Sequence, residues 1–156
     1  MTTQGPNSPA TGADDSGVGT LAWSNPDRVA ASDDSKANAS STANVTTHYL
    51  KATNFGFSIP VGATVNGVTV EIERMTTNNT AARNTIDNIV KLVKGGVISG
   101  TDKADTVSKW PIADAYASYG GAADLWGLTL AYSDVNATDF GVAISANATS
   151  DGATIN

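Results

Sequence analysis

The clearest pattern of hydrophobic and polar positions lies in residues 54–74, which read NFGFSIPVGATVNGVTVEIER. Two apolar sets alternate with small or polar residues: Phe55, Phe57 and Ile59, then Val68, Val70 and Ile72. A period of two is typical of strands buried on one face. Pro60 cannot donate to a sheet ladder, and Gly62 is free to adopt a positive φ. The stretch therefore predicts two antiparallel strands joined by a corner.

Similar patterns predict further strands over residues 46–53, 86–94, 126–132 and 140–144. Residues 113–123 predict a loop with at most one helical turn, because two glycines follow the tyrosines directly. Residues 133–136 predict a turn or a short helical turn. The predicted core consists of Phe55, Phe57, Ile59, Val68, Val70, Ile72, Val90, Leu92, Trp126, Leu128, Leu130, Phe140, Val142 and Ile144. Several short strands separated by turns are typical of a β-sandwich or jelly roll.

The chain divides into an arm of residues 1–20 and a globular domain of residues 21–156. The arm is rich in Gly, Ser, Thr, Pro and Asp, so it cannot bury enough apolar surface to order itself. If it is ordered, it docks either on its own domain or on a neighbouring subunit, and the sequence leaves both open.

Composition narrows the functional class. The 156 residues carry a net charge of −6, which argues against nucleic-acid binding because that needs a basic face. Cysteine is absent, which excludes disulfides, thiolate metal sites and a cysteine nucleophile. No apolar run approaches the roughly 20 residues that span a bilayer. No signal peptide is visible, as expected for a phage protein released at lysis or for a mature or incomplete form.

Five segments carry a resemblance to a known family: GTLAWSNP (19–26), residues 49–74, VKGGVI (93–98), YASYGGAADLWG (116–127) and DVNATDFGVAIS (134–145). Together they resemble jelly-roll domains of phage virion proteins and bacterial extracellular proteins. The resemblance implies an all-β, antiparallel β-sandwich of jelly-roll type that serves as a surface or assembly module without a reaction. Such domains usually continue after the equivalent of residues 151–154 into a closing strand. Its absence would leave an open sheet edge for an arm to fill.

The sequence contains no recognisable catalytic motif. His48 is the only histidine and has no nucleophile or acid in a recognisable motif around it. Glu71 and Glu73 share one face of a strand, whereas glycosidase carboxylates normally come from separate elements. We therefore expect a protein that is not an enzyme and needs no cofactor.

Two pairs of aspartates are candidates for Ca²⁺ binding, because carboxylate oxygens are ligands of this ion. Asp33 and Asp34 are adjacent, and Asp102 and Asp105 lie three apart. Neither arrangement has the spacing of an EF-hand loop. We expect no metal site.

Three aromatic residues are candidates for stacking on a sugar: Trp110, Tyr116 and Tyr119. Aromatic residues in a sandwich are more often part of the core, and Trp126 is assigned to it by parity. These three would supply the binding surface of a carbohydrate-binding module.

Five Asn-x-Ser/Thr sequons are candidate N-glycosylation sites: Asn38, Asn44, Asn78, Asn136 and Asn147. Such matches arise by chance in a chain rich in Asn and Thr, and they have meaning only in a secreted setting. There they would mark exposed loops that carry glycans.

The sequence thus favours a non-enzymatic structural subunit that polymerises with copies of itself, head to tail, into an extracellular filament or a virion surface structure. The arm and an open sheet edge would make the contact, and attached glycans are an added expectation. Neither nucleic acid nor membrane insertion is expected. The alternative is a carbohydrate-binding or adhesion module that uses exposed aromatic residues.

Overall fold

A computed structural model describes residues 2–149 and 152–155. Within these residues ten strands follow one another: β1 (Thr11–Asp15), β2 (Ala37–Ser40), β3 (Val45–Thr46), β4 (Tyr49–Thr53), β5 (Val68–Thr76), β6 (Asn84–Lys94), β7 (Val97–Ser99), β8 (Ala115–Gly121), β9 (Gly141–Thr149) and β10 (Gly152–Ile155). The described helical pieces are a 3-10 turn, Pro26–Ala30, and a five-residue helix, α1 (Tyr132–Asn136).

The strands form two sheets in which every strand pairing is antiparallel. The first sheet has the order β1-β4-β9-β6-β7, with β3 also paired to β9. The second has the order β2-β10-β5-β8. The predicted all-β class with antiparallel sheets is therefore confirmed.

One hydrophobic cluster receives side chains from both sheets. Eight of the fourteen predicted core residues are buried in it: Ile72, Val90, Leu92, Trp126, Leu130, Phe140, Val142 and Ile144. The other six are partly buried and pack against the same cluster. The predicted core is therefore confirmed, although several of its members lie outside regular strands.

The predicted strand over residues 54–59 is wrong. Asn54 and Gly56 have φ values of 62° and 65°, in the left-handed region that interrupts a strand. This backbone brings the rings of Phe55 and Phe57 together, with centroids 6.1 Å apart, and both rings pack against the core without a strand. The corner after Pro60 is present, and Gly62 has the expected positive φ of 79°.

The predicted strand over residues 126–132 is also wrong, although its apolar residues are buried or half-buried. Trp126 and Gly127 have φ values of 56° and 69°, so the backbone turns where a strand would run straight. The indole Nε1 of Trp126 donates to Val68 O at 2.9 Å, which fixes the ring against β5. Helix α1 then occupies the place of the expected strand end, and Asp134 Oδ2 accepts from Ala131 N at 2.8 Å.

The predicted loop over residues 113–123 contains strand β8. It pairs with β5 in one continuous register, from Ala115 opposite Arg74 to Gly121 opposite Val68. Its inward-facing residues include Ala117 and Tyr119. Because alanine is small and two glycines follow, the sequence shows only a weak apolar alternation here. The predictions at residues 46–53, 86–94 and 140–144 are confirmed by β3 and β4, by β6 and by β9.

Residues 152–155 form strand β10 between β2 and β5. This part of the chain is paired on both sides, so the expectation that it leaves an open sheet edge is not met here. The register of β10 places Ile155 opposite Arg74 on one side and opposite Ala37 on the other. Ala153 and Ile155 are buried, so the strand contributes to the common core.

Candidate functional site

The described part of the arm lies along its own domain. Strand β1 pairs with β4, from Thr11 opposite Thr53 to Asp15 opposite Tyr49. Ahead of β1, Ala10 N donates to Asn54 O at 3.0 Å. Within one chain, the arm therefore adopts the first of the two seatings that the sequence left open, as the edge strand of the first sheet.

Two amide side chains tie the beginning of the arm to the segment after β4. Gln4 Nε2 donates to Ser58 O at 2.8 Å, and Gln4 Oε1 accepts from Ser58 N at 3.0 Å. Asn7 Nδ2 donates to Phe55 O at 2.9 Å. These bonds reach the backbone of the receiving segment, so they depend on its shape and hardly on its sequence.

Two aspartates anchor the end of β1. Asp14 accepts from the backbone N of Trp23 at 2.7 Å and lies 2.8 Å from Nδ1 of His48. Asp15 lies 3.1 Å from Nζ of Lys51. The backbone N–H of Gly17, and then Lys51, lower the pKa of Asp15 below its ordinary value. Both pairs are partly exposed, and such ion pairs contribute about 1 kcal/mol or less each.

Gly12 lets β1 approach the 3-10 turn closely. A Cβ placed on Gly12 would lie 1.9 Å from Pro26 O and 2.6 Å from Cγ2 of Val29. No larger residue fits without moving β1 away from the turn. The arm therefore requires glycine at position 12, although its low-complexity sequence does not indicate a specific requirement.

The structure does not support the predicted stacking surface. Trp110 is completely buried and Tyr119 is 6% exposed, whereas Tyr116 is 60% exposed. Trp110 and Tyr119 donate to a buried carboxylate, so their polar ends point into the protein. Only Tyr116 of the three presents a face to solvent. An open groove of about 650 Å³ lies beside β3, and its described lining consists of Gly, Thr, Asn, Ala and Val residues.

The five sequons differ in the state of their side chains. Asn44 is exposed, whereas Asn38 and Asn78 are half-buried. The Nδ2 of Asn136 donates to Ile59 O at 2.9 Å, and that of Asn147 donates to Asn88 Oδ1 at 3.2 Å. Because a glycan attaches to this nitrogen, Asn44 is the sequon best placed to carry one.

Sequence reasoning missed a buried polar cluster around Asp87. The carboxylate accepts from Arg74 Nη1, from Trp110 Nε1 at 2.8 Å, from Tyr119 Oη at 2.9 Å and from Asp105 N at 2.9 Å. Burial and the Asp87 carboxylate raise the pKa of Tyr119 well above its ordinary range, which keeps the phenol protonated as a donor. The available signal was an acid within an apolar strand, since aspartate is almost never fully buried unless paired.

Three of the other candidate acids accept hydrogen bonds outside this cluster. Asp102 Oδ1 accepts from Val90 N and Ala104 N, and Asp33 Oδ1 accepts from Ser35 N. Glu73 Oε2 accepts from Ser32 Oγ at 2.7 Å, while Glu71 is exposed. Within residues 2–149 and 152–155, no three His, Cys, Asp or Glu side chains are grouped so that they could hold a metal ion.

Comparison with known proteins returned no matching family model, no matching curated protein and no matching solved structure. The site is therefore interpreted from its own geometry.

A separate observation concerns membranes. Among the described residues, no helix is both long and apolar enough to span a bilayer.

Proposed function

We propose that the protein is a non-enzymatic structural subunit that assembles with copies of itself through its N-terminal arm. Within one chain the arm lies on its own domain, and the proposal requires that this seat be taken by the arm of another copy. The observation that supports such an exchange is that the arm forms an edge strand, held by backbone ladder bonds and by partly exposed polar contacts. An edge strand carried by an extended arm can be exchanged between identical copies, because each contact made within one chain is available in the next.

We propose further that the two sheets form a β-sandwich of jelly-roll type. Two antiparallel sheets that share one hydrophobic cluster suit a β-sandwich of jelly-roll type. In that arrangement β1 lies at the rim of one sheet, where its removal uncovers β4 without opening the centre of the core. The resemblance to virion and extracellular jelly-roll domains points the same way.

Arm exchange would produce a growing assembly. If each arm seats on the β4 of the next copy, the contact is head to tail, and it propagates into a filament or closes into a ring. Gly17 and Gly19 lie in the connection between β1 and Leu21, which is where the chain would turn outwards. We place this assembly outside the cell or on a virion surface, with Asn44 as the sequon most suited to a glycan.

A disulfide across β1 and β4 tests the exchange, since the chain has no cysteine of its own. Thr11 and Thr53 are opposite each other, at a separation that antiparallel pairing makes suitable for a disulfide. The variant Thr11→Cys/Thr53→Cys is oxidised in dilute and in concentrated protein and run on a non-reducing denaturing gel. Exchange predicts monomers from the dilute sample and a ladder of covalent oligomers from the concentrated one.

A matched control is Lys94→Cys/Val97→Cys, whose positions pair within the β6–β7 hairpin. This pair must give monomers at both concentrations. A concentrated sample that sedimentation shows to be assembled, but whose Thr11→Cys/Thr53→Cys variant yields only monomers, would disprove arm exchange. A protein that stays monomeric at all concentrations would disprove the structural-subunit proposal itself.

A further inference from the structure

Strand β8 is one edge of the second sheet, and among the described residues no strand lies along one of its sides. On β5, both backbone groups of Val68 turn towards β8: its N donates to Asp124 O, and its O accepts from Trp126 Nε1. Along an antiparallel strand, successive residues point their N–H and C=O groups alternately to the two sides of the strand. Since Val68 is paired with Gly121, every second residue of β8 counted back from Gly121 faces β5. Tyr116 and Ser118 therefore turn their N–H and C=O groups away from β5. In the described part of the chain, no other strand pairs with that side.

The other sheet edges carry features that discourage pairing with another chain. Strand β1 contains Asp14 and Asp15, and β7 is only three residues long. Strand β2 is covered by Ser24, whose N donates to Asn38 O at 2.8 Å and whose O accepts from Asn38 N at 3.0 Å. Charges, short length and covering segments are the usual protections of an edge.

Strand β8 has none of these protections. Its seven residues, AYASYGG, include no charge and no proline, and its register with β5 is unbroken. Two of the nearby acids are engaged elsewhere: Asp114 lies 2.6 Å from Nζ of Lys36, and Glu73 accepts from Ser32. Glu71 is exposed, but it lies on β5 opposite Ser118, which is the side of β8 away from the free edge. The edge is thus neutral on a chain of net charge −6, so a second copy can approach it without meeting a like charge on the strand itself.

The edge is also complementary to itself. A two-fold axis at Ala117 places Tyr116 opposite Ser118 of the second copy and Ser118 opposite Tyr116 of the second copy. Both residues then use the N–H and C=O groups that face away from β5. Centring on Ala117 avoids Gly120, whose φ of 72° departs from a regular strand. The exposed ring of Tyr116 would gain a neighbouring chain to pack against.

We propose that two copies of this chain pair through β8, antiparallel and around a two-fold axis, so that the second sheet continues from one copy into the other. The choice of a second copy rests on the proposed function, but the contact does not involve the arm. Combined with arm exchange, it would link neighbouring filaments or pair subunits within one.

Proline at position 118 tests the contact. The N–H of Ser118 faces the free side, so Ser118→Pro removes no bond to β5, yet it removes a donor from each copy at the two-fold contact. Ser118→Ala keeps the N–H and serves as the matched control. Sedimentation equilibrium should show the wild type and Ser118→Ala dimerising with similar affinity, and Ser118→Pro dimerising at least about tenfold more weakly. Equal dimerisation of all three would overturn the proposal.

Amide hydrogen exchange on the wild type gives a second measurement that does not depend on the folding of a variant. The amides of Tyr116 and Ser118 should become slower to exchange as concentration rises through the dimerisation range. Rates that do not change with concentration would overturn the proposal, even if Ser118→Pro failed to fold.

The arm-locked protein separates this inference from the proposed function. The monomer fraction of oxidised Thr11→Cys/Thr53→Cys cannot exchange its arm, but its β8 edge is free. Dimerisation of that fraction, sensitive to Ser118→Pro, supports the β8 contact whether or not arms exchange. Loss of dimerisation on locking would show that the arm carries the contact and that β8 does not.

Discussion

Asp87 joins the two sheets by direct side-chain contacts. It lies on β6 of the first sheet, while Arg74 and Tyr119 lie on β5 and β8 of the second. The guanidinium of Arg74 also lies over the Trp110 ring, 5.1 Å from its centroid, and 5.8 Å from that of Tyr119. A buried charge is tolerated only when its partners are in place, so this cluster requires one mutual arrangement of the sheets.

Replacing Asp87 by Asn should therefore be strongly destabilising. The variant keeps the volume but leaves the Arg74 charge buried without a counter-ion, which costs about 3–5 kcal/mol. Urea unfolding measures the change, with Asp114→Asn at the partly exposed Lys36 pair as a control that should cost about 1 kcal/mol or less. The double variant Arg74→Met/Asp87→Leu should cost less than the two single changes together, and strict additivity would argue against coupling.

Asp105 makes stability depend on acid pH. The hydroxyl and N–H of Ser108, and then the N–H of Val107, lower the pKa of Asp105 from 3.8 to about 2. A lowered folded-state pKa means that the contribution is fully present above pH 3.8 and is lost as pH falls towards 2. Unfolding free energy measured from pH 5 to 2 should decline less for Asp105→Asn than for the wild type, with the curves converging at the acid end. Parallel curves would contradict the assignment.

At the scale of elements, the sequence predicted which residues are buried better than it predicted the strands that hold them. Alternation at residues 54–59 and 126–132 correctly indicated contact with the core. The left-handed conformations of Asn54 and Trp126 could not be read from it, because tertiary contacts select them. Strand β8 was missed for the opposite reason, since its small inward residues carry little hydrophobic signal and its register comes from β5.

The candidate site in the arm could likewise be predicted only in part from the sequence. Its composition predicted that it needs a surface to order on, and the structure supplies β4. The anchoring residues Asp14 and Asp15 were not singled out, because their partners His48 and Lys51 are distant in sequence. Of the aromatic candidates, the two buried ones were misassigned because exposure depends on the fold around them.

Gly12→Ala should release β1 while leaving the rest of the domain folded. The added methyl overlaps Pro26 O and Val29, and overpacking of this kind typically costs about 1–3 kcal/mol. The cost falls on an edge strand, so limited proteolysis should cut the arm faster, while far-UV dichroism of the domain stays unchanged. Gly121→Ala is the control, because a Cβ there meets nothing within 4 Å. Equal proteolysis rates in both variants would show that β1 does not depend on this close approach.

At the scale of the whole molecule, the net charge opposes assembly, whereas the proposed contacts do not depend on charge. Each copy carries a net charge of −6, so copies repel one another at long range. The proposed contacts are backbone ladders, which need no opposite charge on the partner. The ion pairs of the arm seat, Asp14 with His48 and Asp15 with Lys51, are short-ranged and few.

Assembly should therefore increase with salt. Raising ionic strength from 0.01 M to about 0.15 M shortens the Debye length from about 30 Å to about 8 Å, which screens the repulsion between copies and leaves the ladder bonds intact. Light scattering of concentrated protein at pH 7 should rise over this range, and the concentration needed for assembly should fall. The arm-locked monomer fraction of Thr11→Cys/Thr53→Cys should show a much smaller rise, because it cannot extend beyond the β8 pair. Assembly that weakens as salt is added would mean that ion pairs hold the copies together, and backbone pairing would then be the wrong account of the contact.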